Sequence, residues 1–355
     1  MVLFYRLVIT NLHKGRESMK KFFIICMCVC ISLFVVSCQD EDKKAESNLF
    51  AMDTTMEITA YGAKSEEAIK AAEKEIYRLE KILAASDDSS QVGKINKRGH
   101  GKYNEDLSYL IDKSTNLYED TNGAFNILVY PLMKKWGFID DQYNVPSNTQ
   151  ISKLLKLTDM SKIKNNPQKR EIEFNLNGME MDFGGIAKGY ASSQVMKIFD
   201  KYKIKSGIVN LGGNVHTKGC KPDGSKWKIG IKDPKNVENY IGVLETKDMA
   251  VITSGGYERY FEKDGKRYHH ILNPKTGKPV EGDLASVTIV SNDGTLADGL
   301  STSLFVMGEK KAIDYWKANK EKFDVILVKE DGSLIITKGI EDAFSSETKN
   351  VKIVN

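Results

Sequence analysis

Residues 323–338 read FDVILVKEDGSLIITK. Two short β-branched, apolar runs, 323–328 and 333–338, flank Asp331-Gly332. An Asp-Gly step between two such runs marks a hairpin turn. A hairpin joins antiparallel neighbours, whereas parallel neighbours need a long crossover. The same pattern recurs upstream, where Asn177-Gly178 separates 171–176 from 179–183 and predicts a second hairpin. Residues 55–61 alternate, with Met56, Ile58 and Ala60 on one face, and further strand-like runs lie at 207–211, 227–232, 249–253 and 284–291. Between them run helical patterns. Ser65 is placed to cap a helix with Glu66 and Glu67 in its first turn and Ile69, Ala72, Ile76, Leu79 and Leu83 as its apolar stripe. Others are expected over 104–122, stopped by Gly123, and over 186–201, 295–307 and 309–319. Hairpins with interspersed helices predict an α+β fold of mixed, mostly antiparallel sheets.

The chain has 355 residues, 41% hydrophobic and 28% charged, the balance of a soluble globular protein. The formal charge of +4 sits in residues 1–37, which hold five Lys/Arg and one Glu. The remainder is neutral and gives no electrostatic reason for a nucleic-acid partner. Met19-Lys20-Lys21 opens a basic segment, and the apolar run 22–36 is shorter than the roughly 20 residues a spanning helix needs. Its length suits a signal peptide, and it ends in Val35-Val36-Ser37-Cys38, which resembles the bacterial lipobox. Residues 1–37 are therefore expected to be removed, with Met19 the true start and Cys38 lipidated. Residues 38–48 are polar and are expected to be a flexible tether, and 49–355 are expected to form the folded domain. Cys26, Cys28 and Cys30 leave with the leader, so Cys220 stays alone and no intrachain disulfide forms.

Five segments carry chemistry. Met181-Asp182-Phe183-Gly184-Gly185-Ile186-Ala187-Lys188-Gly189-Tyr190 is a glycine turn before a helix, with Lys188 as a point charge for a phosphate. It is neither a dinucleotide fingerprint nor a P-loop. Asn210-Leu211-Gly212-Gly213-Asn214 and Thr253-Ser254-Gly255-Gly256-Tyr257-Glu258-Arg259-Tyr260 also run from a strand into paired glycines. Tyr268-His269-His270-Ile271 holds two adjacent histidines, which on a strand point to opposite faces, so at most one enters a shared site. Asp298 and Thr302 lie four apart on a helix, and a carboxylate with a hydroxyl suits a hard cation such as Mg²⁺.

In order and spacing, these segments together resemble the FAD:protein FMN transferase family, also called ApbE. Gly123-Ala124-Phe125-Asn126 with Tyr130-Pro131-Leu132 and Trp136-Gly137-Phe138 looks like the family's flavin-contacting stretch, and 90–96 (SQVGKIN) like its early serine-to-asparagine motif. The resemblance covers about 49–338. It implies an α+β fold with FAD in a central cleft. It implies Asp298, Thr302 and the main-chain carbonyl of Gly185 as Mg²⁺ ligands, and Met52, Ala124, Phe125, Asn126, Asp182, Lys188 and Ile271 against FAD. His270 is implied as general base. The family usually has Gly where Asp53 stands, Asp where Asn126 and Asn273 stand, and an aromatic near Ser86. The implied reaction attaches FMN through its phosphate to a Ser or Thr of an acceptor protein, with AMP released. That acceptor is expected to be a membrane redox subunit. The enzyme is expected to be exported and lipid-anchored on the periplasmic side of the inner membrane, with the outer membrane as the alternative. The competing readings are a Mg²⁺-dependent FAD pyrophosphatase and a flavin-binding lipoprotein without turnover.

Overall fold

The computed structural model of the chain describes residues 43–348 and 350–355; the leader, Met19 and Cys38 lie outside them. Among the described residues, nine strands form one sheet: β1 (Lys44–Ala51), β2 (Thr54–Tyr61), β3 (Ser206–Leu211), β4 (Asn214–Lys218), β5 (Ala250–Gly255), β6 (Leu284–Ser291), β7 (Asp324–Lys329), β8 (Leu334–Thr337) and β9 (Val351–Val354). They lie side by side in that order. Each is antiparallel to the next except β8 and β9, which are parallel. The hairpin read from 323–338 is β7–β8, with Ile326 opposite Ile336 and Val328 opposite Leu334. The helices are α1 (Ser65–Leu83), α2 (Gln91–Arg98), α3 (Glu105–Asp120), α4 (Tyr130–Trp136), α5 (Asn148–Leu155), α6 (Ala187–Lys201), α7 (Gly294–Met307) and α8 (Glu309–Asn319). The expected α+β class is the observed one.

Every residue of β6 is buried because the sheet is covered on both faces. On one face, Val287 and Ile289 join the core formed with α1, α6 and α7 through Ile76, Leu79, Val195, Phe199, Leu300 and Leu304. On the other, Val290 joins Val251, Ile326, Val328 and Ile336 under a three-stranded sheet, whose Trp227, Ile229, Ile231 and Leu244 face them. The β6 run is not wholly apolar: LASVTIVS includes Ser286, Thr288 and Ser291, and Thr288 Oγ1 lies 2.8 Å from Thr253 Oγ1 on the neighbouring strand.

Two tight turns end the sheet next to each other. Met52 and Asp53, at φ 48° and 60°, close β1 onto β2, and Gly212-Gly213, at φ 64° and 94°, closes β3 onto β4. Asp tolerates a left-handed backbone better than most residues, so Asp53 can hold the second position of this turn. A Cβ on Gly212 would fall 2.3 Å from Thr54 Oγ1, so only glycine lets the two turns abut.

Three expectations are corrected. The tether does not reach residue 48: from Lys44 the chain is strand β1, paired residue for residue with β2. Residues 179–183 are not a strand, and Asn177-Gly178 does not close a hairpin. Glu171–Phe174 instead pairs with His100–Lys102 and Ile163–Asn166. The Met181 backbone is held by a side chain: its N–H donates to Asn96 Oδ1 (2.8 Å) and its carbonyl accepts from Asn96 Nδ2 (2.9 Å). Ser65 does not cap α1; Lys64 holds the cap position, and the buried Ser65 hydroxyl has no hydrogen-bond partner among the described residues. Among those residues, no helix is long and apolar enough to cross a membrane.

Candidate active site

The site is built where α6 meets α7. Gly189 permits the approach: a Cβ there would lie 2.1 Å from the Gly294 carbonyl and 2.5 Å from Asp298 Cβ. The closeness sets Asp298, buried on α7, against the first turn of α6. The Gly189 N–H donates to Oδ2 at 2.7 Å, and Asn214 Nδ2, from the start of β4, donates to Oδ1 at 3.0 Å. Burial raises the Asp298 pKa, while the Lys188 charge and these hydrogen bonds oppose the rise. A carboxylate oxygen has two lone pairs, so each keeps one for another partner.

One helical turn on, Thr302 Oγ1 lies 3.1 Å from Ser254 Oγ at the end of β5. Ser254 Oγ is 2.8 Å from Ser301 Oγ, and Ser301 donates to the Asp298 carbonyl at 2.8 Å. Gly185 completes the group: a Cβ there would be 3.8 Å from Thr302 Oγ1 and 3.2 Å from the Phe125 ring. The structure thus brings together the three residues expected to hold a metal. Among the described residues, no three His, Cys, Asp or Glu side chains gather as a metal site. The donors present are a carboxylate, a hydroxyl and main-chain oxygen, a set that fits Mg²⁺ better than a softer ion.

The expected flavin-contacting stretch reaches the same place. The Asp182 N–H donates to the Ile127 carbonyl at 2.8 Å, which ties 124–127 to the turn before α6. Ala124 and Phe125 are buried there. Asn126 spends its side chain on the backbone, accepting from Leu128 N–H and donating to the Thr158 carbonyl, both at 2.8 Å. Half-buried Asp182 has a raised pKa, mainly from desolvation. Tyr130 is pushed up to about 12 by burial and by the charges of Asp182, Glu180 and Asp53. That coupling puts the Met52–Asp53 turn on this side of the molecule. Met52 N–H donates to Glu80 Oε1 at 2.7 Å.

The two histidines part as expected. His269 is used structurally: Nδ1 accepts from Ile271 N–H (3.2 Å), so Nε2 carries the proton and donates to the Val280 carbonyl (2.9 Å), with the ring edge-on to Phe305. His270 Nδ1 lies 3.2 Å from the Arg259 carbonyl, which can only accept. Its neutral form therefore has the proton on Nδ1 and a lone pair on Nε2. Burial lowers its pKa to about 3, and the Arg259 and Lys188 charges act the same way. The Lys188 charge lowers the pKa of Asp298, Glu258 and His270 alike, so it lies within electrostatic range of all three. Ile271 is buried beside them, its carbonyl accepting from Val280 N–H at 3.0 Å.

Sequence reasoning missed Asn214, Ser254 and Arg259 as site residues. Arg259 donates to the Phe138 carbonyl, and its charge acts on Asp182 and His270. All three lie in the glycine-pair segments quoted above; that signal marked the segments but not which side chain faces the site. Two other cavities, about 370 Å³ beside His216 and about 250 Å³ beside Lys235, contain none of the expected site residues.

Comparison with known proteins agrees. The ApbE family model matches residues 52–327. The FAD:protein FMN transferase of Klebsiella pneumoniae is 33% identical over 287 residues, 79% of this chain and 88% of that protein. The one from Haemophilus influenzae is 29% identical, with 93% of this chain and 99% of that protein covered. The crystal structure of the ApbE protein from Thermotoga maritima superposes with a TM-score of 0.78 at 33% identity, covering 85% of this chain and 99% of that one. The apo flavinyl transferase ApbE of Pseudomonas stutzeri gives 0.76 at 29% identity, over 86% and 98%. By its sequence, its fold and the residues gathered between α6 and α7, the chain belongs to the ApbE family.

Proposed function

We propose that this chain is a Mg²⁺-dependent FAD:protein FMN transferase, and the observation that carries the reading is the oxygen cluster of Asp298, Thr302 and Gly185 beside Lys188 and His270. Mg²⁺ bound by the cluster would neutralise charge on the FAD diphosphate. Lys188 adds a cation to the same diphosphate. Met52, Ala124, Phe125, Asn126, Asp182 and Ile271 hold the flavin end. His270 Nε2 takes the proton of an acceptor Ser or Thr hydroxyl. The freed oxygen bonds to the FMN-side phosphorus, the bridging P–O bond breaks, and AMP leaves with that oxygen. Unprotonated at neutral pH, His270 has the lone pair this needs, and a diphosphate alongside raises its proton affinity.

The relatives' names supply the substrate and product classes, and the neutral tautomer of His270 supplies the base. The acceptor is a membrane redox subunit, and the enzyme reaches it from a lipid anchor on Cys38, on the periplasmic side of the inner membrane. Palmitate labelling that persists in Cys38→Ala would dismiss the anchor. With FAD, Mg²⁺ and a redox-subunit acceptor, the purified chain should add the mass of FMN less one water to the acceptor and release equal AMP. Asp298→Ala should lower that rate by about a thousandfold or more, several kcal/mol of transition-state stabilisation. Free FMN appearing without acceptor labelling would make the chain a pyrophosphatase instead, and unchanged turnover in Asp298→Ala would refute the metal assignment.

A further inference from the structure

The hydroxyls behind the cluster form a chain whose direction can be worked out from one end. Ser301 Oγ lies 2.8 Å from the Asp298 main-chain carbonyl, which has no proton, so Ser301 donates there. A serine has one hydroxyl proton. Its other contact, Ser254 Oγ at 2.8 Å, must therefore donate to Ser301. That uses the only proton of Ser254, so at the 3.1 Å contact Thr302 donates to Ser254. The Thr302 proton thus points toward Ser254 on β5, and both Oγ1 lone pairs remain for another partner. Of the two serines, Ser254 touches the Thr302 hydroxyl, and Ser301 touches only Ser254 and the Asp298 main-chain carbonyl. Ser301 is fully buried, so water does not replace its bond.

We propose that Ser254 is a positioning residue for the cation: it takes the Thr302 proton and so presents the Thr302 oxygen, lone pairs outward, as a ligand. The inference rests on the reading of Thr302 as a Mg²⁺ ligand. A threonine hydroxyl with an undirected proton would spend part of its time donating toward the cation, which is repulsive. Ser254 removes that state. It stands on β5, 44 residues before Asp298 in the chain, and owes its place to the pairing of β5 with β6, where Ser254 lies opposite Val287.

The test is metal affinity rather than turnover. Mn²⁺ is titrated into the FAD-bound chain and the free ion followed by electron paramagnetic resonance. Ser254→Val and Ser254→Thr have the same shape and differ only in the hydroxyl. Ser254→Val should weaken Mn²⁺ binding about tenfold, the worth of one hydrogen bond to a ligand group, and Ser254→Thr should bind within about twofold of the native chain. Ser254→Ala gives the same comparison without added bulk, with circular dichroism confirming the fold. Native-like binding by Ser254→Val or Ser254→Ala, while Thr302→Val and Asp298→Ala lose the ion, overturns the role of Ser254 and leaves the metal site standing. Equal losses in Ser254→Val and Ser254→Thr also overturn it, because the hydroxyl is then not what matters. Native-like binding by Thr302→Val and Asp298→Ala removes the metal site itself, and the role of Ser254 with it.

Discussion

Asp298 and Thr302 stand on a helix buried along most of its length, whereas His270 follows the hairpin Tyr260–Lys263/Lys266–His269, whose turn faces solvent. The helix half is held by buried polar bonds: Gly189 N–H and Asn214 to Asp298, and Ser192 donating to the Gly189 carbonyl while accepting from His216. The hairpin half rests on aromatic packing. Phe261 stacks on Tyr143 and Tyr268 with centroids 5.0 and 5.2 Å apart, and Tyr268 leans on Trp136 at 5.6 Å. Directional bonds without water tolerate little displacement, while stacked rings slide at small cost. Under the proposed function, a rigid half at the diphosphate and an adjustable half at the base would suit a site that admits both a dinucleotide and a protein side chain.

The contrast can be broken most directly at Gly189. Its alanine variant puts a methyl 2.1 Å from a main-chain oxygen, so the two helices must separate. A loss of about 3 kcal/mol in urea unfolding is expected; a loss under about 1 kcal/mol would show the helix pair to be compliant. The next effect depends on pH. His216 is buried, and desolvation lowers its pKa to about 4, with Asp293 and Asp248 opposing and Lys218 assisting. A free histidine titrates near 6.5, so between about 6.5 and 4 the unfolded chain binds the extra proton. Stability is therefore complete above that window and falls as pH drops through it, by up to about 3 kcal/mol. His216→Asn should flatten the slope of unfolding free energy against pH there, and an unchanged slope would move the acid sensitivity elsewhere. The smallest effect is on the other half. Phe261→Ala should cost about 1–2 kcal/mol, with faster amide exchange confined to the hairpin and α4–α5. Exchange rising equally across α6 and α7 would mean the halves unfold as one and the contrast is not real.

Much of this was legible in order along the chain. The Asp331-Gly332 hairpin, the alternation of β2 and the stripe of α1 each follow from side-chain period, because the period decides which face can leave water. Asp298 and Thr302 were legible too, since four residues on a helix set two oxygens on one face. Pairing across distance was not. Asn177-Gly178 has the spelling of a hairpin, yet Asn96, more than eighty residues earlier, supplies both hydrogen bonds that a partner strand would have offered to Met181. A backbone group needs a partner and is indifferent to its source. The same holds for Asn214, Ser254 and Arg259, which sequence left as neighbours of glycines. Sequence by itself determined most of the elements and the oxygen donors proposed as ligands, because those depend on local spacing. Only the tertiary structure decided which polar groups meet in the interior, because leaving a buried polar group unpaired is costly and the partner that relieves the cost can lie anywhere in the chain.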